Sequence, residues 1–447
     1  MKMPQKPPNS FEIMKQFKGG IERFWEIYVT FSGPLVGGKY LHWDKLRYYT
    51  PSQNLSYEEW WLMLKWQRQS LYKKIPLLDK KGDSFNYLLV DPVFEMLHKI
   101  DQGAGGFVQM PEQITNPETK DQYFINSLIS EAITSSQLEG AATTRLVAKE
   151  MIRTGRPPQD KSERMILNNF LTMKQIEKLR TESLTPSIVF DIHRLITDKT
   201  LSDPSAVGRF RRADERIVVG DMYNEVFHEP PPADQLESRM TAMCDFANGK
   251  TPAHFIHPVI RSIILHFWLA YDHPFGDGNG RTARALFYWS MLHHGFWLFE
   301  FISISQIILK APAKYGRAFL YTETDDNDLT YFIIYHLKVI ERAINELHDY
   351  IRRKTESLRA VEHRLRILAG FNHRQRALIG HALRHPQQQY TIESHRMSHN
   401  IVYQTARTDL FDLENRGLFE SRKISRTWYF TPVSNLEDKL IKLSEAL

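Results

Sequence analysis

One stretch of twelve residues brings together the side chains that phosphate chemistry needs. It reads His273-Pro-Phe-Gly-Asp-Gly-Asn-Gly-Arg-Thr-Ala-Arg284. Because glycine adopts backbone conformations closed to other residues, Gly276, Gly278 and Gly280 would let main-chain N–H groups come close to a ligand. Gly280 opens a predicted helix, so these N–H groups coincide with the positive helix end, which favours phosphate. The stretch therefore predicts an anion-binding loop.

Four side chains of the same stretch supply the rest of a transfer site. Arg281 and Arg284 lie three residues apart and project from one side of the predicted helix, where both can face the same anion. Asp277 adds a carboxylate, and Mg²⁺ commonly takes one or two carboxylates plus phosphate oxygens. His273 is a base that titrates near neutral pH. Together these groups predict phosphoryl or nucleotidyl transfer.

Two apolar helices are predicted to hold this loop. Before it, apolar residues recur at helical spacing from Val259 to Ala270, after a Pro258 that suits a first helical turn. After it, the pattern repeats from Ala283 to Met291, and Gly295 suits the end of that helix. Both helices should be buried, because their apolar faces are broad.

The stretch resembles the signature of the Fic family, His-Pro-Phe-x-(Asp/Glu)-Gly-Asn-Gly-Arg-x-x-Arg, and matches each of its fixed positions. The resemblance implies a protein adenylyltransferase, which moves AMP from ATP to a Tyr, Ser or Thr hydroxyl of a target protein and releases pyrophosphate. Related kinases of the Doc type carry lysine at the position of Gly280, so this glycine argues against their reaction.

Roles for individual residues follow from the resemblance. His273 would deprotonate the target hydroxyl, and Asp277 would hold Mg²⁺ against the phosphates of ATP. The nucleotide-binding residues of the motif would be Gly278, Asn279, Gly280, Arg281 and Arg284. A protein deadenylylase would use the same residues and stays an alternative. So do UDP or phosphocholine donors, and a nucleotide-sensing DNA-binding regulator, although a sensor would not need the base His273.

A second motif lies upstream, at the end of a helix predicted from Asn126 to Gly140. Glu139 falls in its last turn, where the helix dipole disfavours an acid, so we expect a cationic partner. Ser135-Ser-Gln-Leu-Glu139-Gly140 resembles the inhibitory motif (Ser/Thr)-x-x-x-Glu-(Gly/Asn) of Fic proteins with an N-terminal inhibitory helix. The resemblance implies that Glu139 pairs with Arg284 and blocks productive seating of ATP.

A short β-branched run from Arg216 to Gly220, followed by turn residues to Asn224, predicts a small hairpin. Its placement resembles the Fic flap, which binds an extended segment of the target by strand addition. Val219 and Gly220 are candidate nucleotide-binding residues of this flap. Further downstream, Tyr315 is a candidate contact for adenine, and Asn327 is a second one.

The whole chain has the composition of a globular protein: 447 residues, 42% hydrophobic, 25% charged, with a net charge of +6. We predict a mainly α fold in four parts: an appendage (1–32), a helical subdomain (33–105), a helical Fic core with a β-hairpin flap (106–358), and a C-terminal winged helix-turn-helix (359–447). The single cysteine, Cys244, excludes an internal disulfide and is predicted to lie in the core. With no apolar run of membrane-spanning length or signal-peptide core, a cytoplasmic location without membrane contact is predicted.

The C-terminal part has the order helix, helix, helix, hairpin, which resembles a winged helix-turn-helix. Its predicted recognition helix offers Tyr403, Gln404, Arg407 and Thr408 to base edges, and its wing offers Arg422, Lys423 and Arg426 to phosphates. Such modules also bind proteins, so DNA contact and protein contact both stay open. A homo-oligomer is likewise an open alternative.

Overall fold

The protein is described by a computed structural model that covers the backbone of residues 2–105, 117–215, 217–220, 225–367, 370–386, 388–424 and 426–445. Within these ranges, the side chains of 105, 117–124, 354, 355, 357–367, 444 and 445 are not described. The chain divides into two compact units. The first comprises Met1–Val108 and Phe124–Asn345, and the second comprises Gln109–Tyr123 and Glu346–Leu447.

The first unit is built mainly from helices. Its N-terminal elements are α1 (Ser10–Lys15), α2 (Gly20–Thr30), α3 (Trp43–Leu46), α4 (Tyr57–Gln69), β1 (Lys73–Leu78), β2 (Ser84–Tyr87) and α5 (Asp91–Ile100). Its later elements are α6 (Pro117–Leu138), α7 (Arg145–Thr154), α8 (Lys161–Leu179), α9 (Pro186–Thr197), β3 (Val219–Gly220), β4 (Val226–His228), α10 (Leu236–Ala247), α11 (Pro258–Asp272), α12 (Asn279–His293), α13 (Ile304–Leu309), α14 (Pro312–Thr324) and α15 (Thr330–Ile367). The residues of α6 before Phe124 and those of α15 after Asn345 belong to the second unit.

Helices α11 and α12 form the centre of this unit, as the apolar spacing predicts. Helix α11 starts with Pro258 and ends where His273 enters the left-handed region at φ 45°. Helix α12 follows Gly278, whose φ of 84° is readily adopted only by glycine. Nearly all residues of both helices are buried, so the loop between them is held by two fixed ends.

The N-terminal region differs in one respect from the helical subdomain that the sequence pattern predicts, because β1 and β2 form an antiparallel hairpin. Its turn is stabilised by Asp79, whose carboxylate accepts hydrogen bonds from the N–H groups of Lys81 and Asp83 at 2.8 and 2.9 Å. Pro76 has no N–H to donate to the ladder, and the pairing shifts register between Lys74 and Leu78, so a strand is hard to recognise there from sequence.

A buried polar network fastens α4 to the segment between α14 and α15. Lys65 Nζ lies 2.6 Å from Asp325 Oδ1, and both side chains are 1% exposed. The guanidinium of Arg68 donates to Pro34 O at 3.2 Å, Tyr331 OH at 2.9 Å and Leu41 O at 2.9 Å. Each nitrogen of this buried arginine therefore has a partner. We call this set of contacts the Lys65 network.

The second unit has its own core. Its elements are α16 (His373–Arg384), β5 (Tyr390–Thr391), α17 (Ile392–His399), α18 (Tyr403–Asn415), β6 (Phe419–Ile424), β7 (Thr427–Pro432) and α19 (Leu436–Glu445). The strands form an antiparallel sheet in the order β5-β7-β6. Asp409 ties α18 to α16 by accepting hydrogen bonds from Arg374 Nε and Asn372 Nδ2, both at 2.7 Å. This order of helices and hairpin is the predicted one, and the winged-helix assignment remains a prediction.

Cys244 is buried in α10, as predicted. Across the part of the chain that the structure describes, no helix combines the length and the apolar character needed to cross a membrane.

Candidate active site

His273 lies at the carboxyl end of α11, and one of its ring nitrogens is hydrogen-bonded to the backbone. Its Nδ1 lies 3.2 Å from the carbonyl oxygen of Ala270, which can only accept, so Nδ1 carries the proton and Nε2 keeps its lone pair. Burial lowers the pKa of His273 to about 4. The imidazole is thus neutral at physiological pH, in the protonation state that a general base requires.

The loop after His273 is shaped by Phe275 and Asn279. Phe275 is fully buried, and the Asn279 side chain closes the turn around it: Oδ1 accepts from Phe275 N at 2.9 Å and Nδ2 donates to Phe275 O at 2.8 Å. The Asn279 side chain therefore holds the loop closed, and its contribution to an anion site would come from the main chain. The first N–H groups of α12 have no intrahelical acceptor, as at every helix start.

Arg281 is buried with most of its donors unused. Its Nη1 donates to Ile196 O at 3.0 Å, but Nε and Nη2 are buried and have no hydrogen-bond partner among the described residues. Asp277 Oδ1 is 3.7 Å from Nη2, too far for a hydrogen bond. An unsatisfied buried donor costs about 1–3 kcal/mol, so these N–H groups favour an incoming acceptor such as a phosphate oxygen.

Arg284, by contrast, is fully engaged by the end of α6. Nε donates to Ser135 Oγ at 2.8 Å, and Nη2 donates to Ser135 O at 2.9 Å and to Glu139 Oε1 at 2.7 Å. Burial alone would lower the pKa of this arginine, but the Glu139 carboxylate outweighs it and the pKa is raised. A carboxylate is unfavourable at the carboxyl end of a helix because of the helix dipole. Arg284 is the cationic partner that the sequence predicts for Glu139. Gly140 follows it with φ 90°.

Gly280 makes room for this carboxylate. A Cβ at position 280 would lie 2.2 Å from Glu139 Oε1 and 2.9 Å from its carboxyl carbon. Glu139 thus rests directly against the first turn of α12, where the positive helix end favours a negative charge. The place that the resemblance assigns to phosphate is therefore shared with the Glu139 side chain.

These groups surround a cavity of about 290 Å³, which is lined by Glu139, Ile217, Val218, His273, Gly276, Asp277, Gly278, Asn279 and Gly280. The Asp277 side chain is 52% exposed. Among the described residues no cluster of three or more His, Cys, Asp or Glu side chains could hold a metal ion. The donor set fits Mg²⁺ that takes the Asp277 carboxylate and completes its shell with phosphate oxygens and water.

Several predicted residues lie elsewhere. Tyr315 does not line the cavity: its hydroxyl is 2.8 Å from His266 Nε2, and burial raises its pKa to about 12. Asn327 donates to Asp79 Oδ2 at 3.0 Å. Val219 and Gly220 form β3, whereas the preceding residues Ile217 and Val218 reach the cavity. Arg216 and the turn 221–224 lie outside the described residues.

Two residues that support the loop are not singled out by the motif. Arg211 donates from Nε to His273 O at 2.9 Å, and its own N–H donates to Pro274 O at 2.9 Å. His193 Nε2 lies 2.9 Å from Asp277 O. Arg211 precedes its partner His273 by 62 positions, and His193 precedes its partner Asp277 by 84. Spacing within one sequence carries no signal over such distances.

Comparisons with known proteins agree with this geometry. The model of the Fic/DOC family matches residues 183–291. A protein adenylyltransferase Fic from Nematostella vectensis is 26% identical over 279 residues, covering 62% of this chain and 58% of that protein. One of the same name from Drosophila willistoni is 29% identical over 179 residues, 40% of this chain and 33% of that protein. The chain thus spans less than two thirds of either relative.

A solved structure supports the fold. The crystal structure of a Fic family protein from Desulfovibrio desulfuricans G20 is 18% identical, with a TM-score of 0.53 over 78% of this chain and 98% of that one. The family match over residues 183–291 spans α11, the loop and α12 up to Met291, and it contains the complete motif from His273 to Arg284. Residues 183–291 of the chain thus match the Fic/DOC family and form a Fic domain.

Proposed function

We propose that the chain is a protein adenylyltransferase, which transfers AMP from ATP to a hydroxyl of a target protein. The observation that carries this proposal is the set of unused donors of buried Arg281, next to the start of α12 and within the same loop as a neutral His273. Most buried donors in proteins are hydrogen-bonded, so two unmet donors on one buried side chain favour a ligand-binding role. The names of the Nematostella and Drosophila relatives support the same activity.

The proposed reaction is an in-line displacement at the α-phosphorus. His273 Nε2 takes the proton of the target hydroxyl as its oxygen bonds to the α-phosphorus. The bond from that phosphorus to the oxygen bridging to the β-phosphate breaks, and pyrophosphate leaves. The start of α12 and the unused donors of Arg281 stabilise the negative charge that develops. Mg²⁺ held by Asp277 would neutralise phosphate charge. The flap, which contains β3, would bind the target segment by strand addition.

Glu139 is proposed to restrain this reaction. Its carboxylate occupies the first turn of α12 and engages Arg284, which the proposal assigns to the outer phosphates of ATP. A bound carboxylate and a phosphate would compete for the same cation and the same helix end. The Glu139 side chain is 28% exposed, so it can leave its seat by rotating toward solvent.

Label transfer tests the proposal directly. The protein is incubated with Mg²⁺ and ATP labelled at the α- or γ-phosphate, as wild type, Glu139→Gly and His273→Ala, and its intact mass is measured. We expect self-labelling from the α-phosphate only, increased by Glu139→Gly and absent in His273→Ala, which should still bind ATP. Label from the γ-phosphate would indicate a kinase. Absence of label in every variant would contradict adenylyl transfer.

The same arrangement supports deadenylylation as a second candidate. Glu139 lines the cavity together with His273 and Asp277, so the carboxylate is placed where it could orient a water toward a bound AMP-protein bond. Incubating an adenylylated target with wild type and Glu139→Gly separates the two reactions. Release of AMP that requires Glu139 would favour this candidate.

For the second unit we propose a winged helix whose α18 and β6–β7 hairpin contact DNA. Tyr403 is 51% exposed at the start of α18, and Arg422, Lys423 and Arg426 cluster at the hairpin end. Affinity for duplex DNA that falls steeply with salt would support DNA contact. Equal affinity at low and high salt, or none, would instead favour protein contact.

A further inference from the structure

His193, in the last turns of α9, contacts the catalytic loop from behind. The side chain is fully buried, and its ring stacks on Phe275 with centroids 3.8 Å apart and planes inclined by 12°. Its Nε2 lies 2.9 Å from Asp277 O, and its Nδ1 lies 3.1 Å from Gly208 N. One imidazole thus connects the anchor of the loop, the backbone of the candidate metal ligand and the segment that leads to Arg211.

The tautomer of His193 follows from its partners. The N–H of Gly208 can only donate, so Nδ1 accepts and carries no proton. The carbonyl of Asp277 can only accept, so Nε2 carries the proton and donates. Both contacts are satisfied only by the neutral ring with its proton on Nε2. The direction of each hydrogen bond is therefore fixed.

The peptide between Asp277 and Gly278 explains why this donation matters. Its carbonyl oxygen accepts from His193, and its N–H donates to the Asp277 carboxylate at 2.5 Å. Because a peptide is planar, fixing the carbonyl also fixes the N–H on the other side. The orientation of the Asp277 carboxylate is thereby connected to the His193 ring.

The loop also packs closely against α9 at this point. Gly278 adopts φ 84°, and a Cβ there would lie 2.8 Å from Thr197 Cγ2 and 3.5 Å from the His193 ring. The main chain therefore rests directly on α9. Without the Nε2 donor, the Asp277 carbonyl would face an apolar ring or a void, and the peptide could rotate.

We propose that His193 is a positioning residue for the Asp277 carboxylate, and thereby for the divalent cation that accompanies the nucleotide phosphates. This inference rests on the proposed function, because it takes Asp277 to be the cation ligand. His193 touches neither nucleotide nor target. It acts by fixing one peptide plane, as hydrogen-bonding partners of metal ligands commonly do.

Two substitutions separate the hydrogen bonds of the ring. In His193→Gln, the side-chain nitrogen can occupy the place of Nε2 and keep the donation to Asp277 O, while the acceptor for Gly208 is lost. In His193→Asn, the side-chain oxygen can occupy the place of Nδ1 and accept from Gly208, while Asp277 O loses its donor. Both remove the aromatic ring and its stacking on Phe275, so they are matched for the loss of packing.

The first readout is cation binding without turnover. Mn²⁺ is titrated in the presence of ADP and followed by electron paramagnetic resonance, using full-length protein in the Glu139→Gly background. We expect His193→Asn to weaken Mn²⁺ binding about tenfold, in the usual range for a lost partner of a metal ligand, and His193→Gln to stay near the parent. Thermal unfolding of each variant is measured alongside. His395→Gln, which removes a buried histidine from the second unit, is the control for a purely structural loss.

Equal Mn²⁺ affinities in His193→Asn and His193→Gln would overturn the inference, as would a lowered melting temperature with unchanged affinity. Label transfer from the α-phosphate is measured in the same samples. If the Glu139→Gly parent binds Mn²⁺ and ADP but transfers no label, the proposed function fails while the positioning of Asp277 is still tested by Mn²⁺. If the parent transfers label and the two His193 variants bind Mn²⁺ equally, only the positioning role fails.

Discussion

Two arginines of the first unit are equally buried but differ in how many of their guanidinium nitrogens are hydrogen-bonded. Arg68 in the Lys65 network and Arg281 in the catalytic loop are 0% and 1% exposed. Each of the three guanidinium nitrogens of Arg68 donates to a protein oxygen, whereas Arg281 uses only Nη1. Arg68 is thus bound entirely within its own protein, whereas two buried donors of Arg281 have no partner among the described residues, as the proposed role in binding ATP would require.

The comparison extends to the acids beside them. Asp325 in the Lys65 network accepts from Lys65 and from Tyr331, both within 2.7 Å, and is 1% exposed. Asp277 is 52% exposed and only 3.7 Å from the nearest guanidinium nitrogen. A buried, paired carboxylate stabilises the contact between elements, while an open carboxylate at a cavity is available to a cation. The number of charged residues alone would not distinguish the Lys65 network from the loop that carries Asp277.

We expect the largest effect on stability from a substitution in the Lys65 network. Lys65→Met would leave Asp325 as a buried carboxylate without its cation, which typically costs about 3–5 kcal/mol of unfolding free energy. Chemical denaturation measures this loss. The double variant Lys65→Met with Asp325→Asn removes the stranded charge and should recover a large part of it. A loss below about 1 kcal/mol in Lys65→Met would place the network on a par with surface ion pairs.

The next effect concerns Glu139, which is one of the two residues that occupy the donors of Arg284. Glu139→Gln keeps a side chain of the same shape and an acceptor for Arg284 Nη2, but removes the charge that holds it at 2.7 Å. We expect α-phosphate labelling to rise severalfold, and less than in Glu139→Gly, where about a tenfold rise corresponds to ~1.4 kcal/mol. Equal labelling in the two variants would mean that the shape of the side chain, and not its charge, restrains the site.

The loop that begins at His273 is recognisable in the sequence because the residues that mark it lie close together in the chain. The residues from His273 to Arg284 are neighbours in sequence, so glycines, arginines and flanking apolar helices are recognisable together. The pairing of Glu139 with Arg284, 145 positions apart, follows from the resemblance and from the unfavourable helix end, and the structure contains it. His193 and Arg211 are not predictable in this way, because nothing near them in sequence marks the loop that they support.

The Lys65 network is a second case in which contacts between distant residues are not predictable from the sequence. Trp60, Trp61 and Lys65 indicate a helix with a buried face, but a buried lysine has no local signature that identifies Asp325 as its partner, 260 positions away. The β1–β2 hairpin is missed for a related reason, since a proline argues against a strand and the pairing of β1 with β2 is not visible in the sequence. Contacts between different parts of the folded chain determine both the Lys65–Asp325 pair and the hairpin, and a single sequence does not reveal those contacts.

A smaller effect, in pH dependence, distinguishes His273 from an exposed histidine. Because burial lowers its pKa to about 4, His273 stays neutral as pH falls from 8 to 6. We expect the rate of label transfer in Glu139→Gly to stay constant over this range and to fall only as pH approaches 4. A half-maximal rate near pH 6.5, the usual value for histidine, would contradict the neutral base. Folding stability should fall from about pH 6.5 toward 4, because the unfolded chain binds the proton first.

The smallest expected change in stability, and the sharpest contrast, comes from Arg281→Met. The substitution removes one hydrogen bond, to Ile196 O, together with two buried donors that have no partner, so gains and losses nearly cancel. We expect the unfolding free energy to change by less than about 1 kcal/mol, while the affinity for ATP falls steeply. Arg284→Met is the matched control, since it removes three hydrogen bonds, two to Ser135 and one to Glu139, and should destabilise the protein more than Arg281→Met. If Arg281→Met unfolds as readily as Lys65→Met, the two buried arginines serve the same structural purpose, and unmet donors do not mark the site.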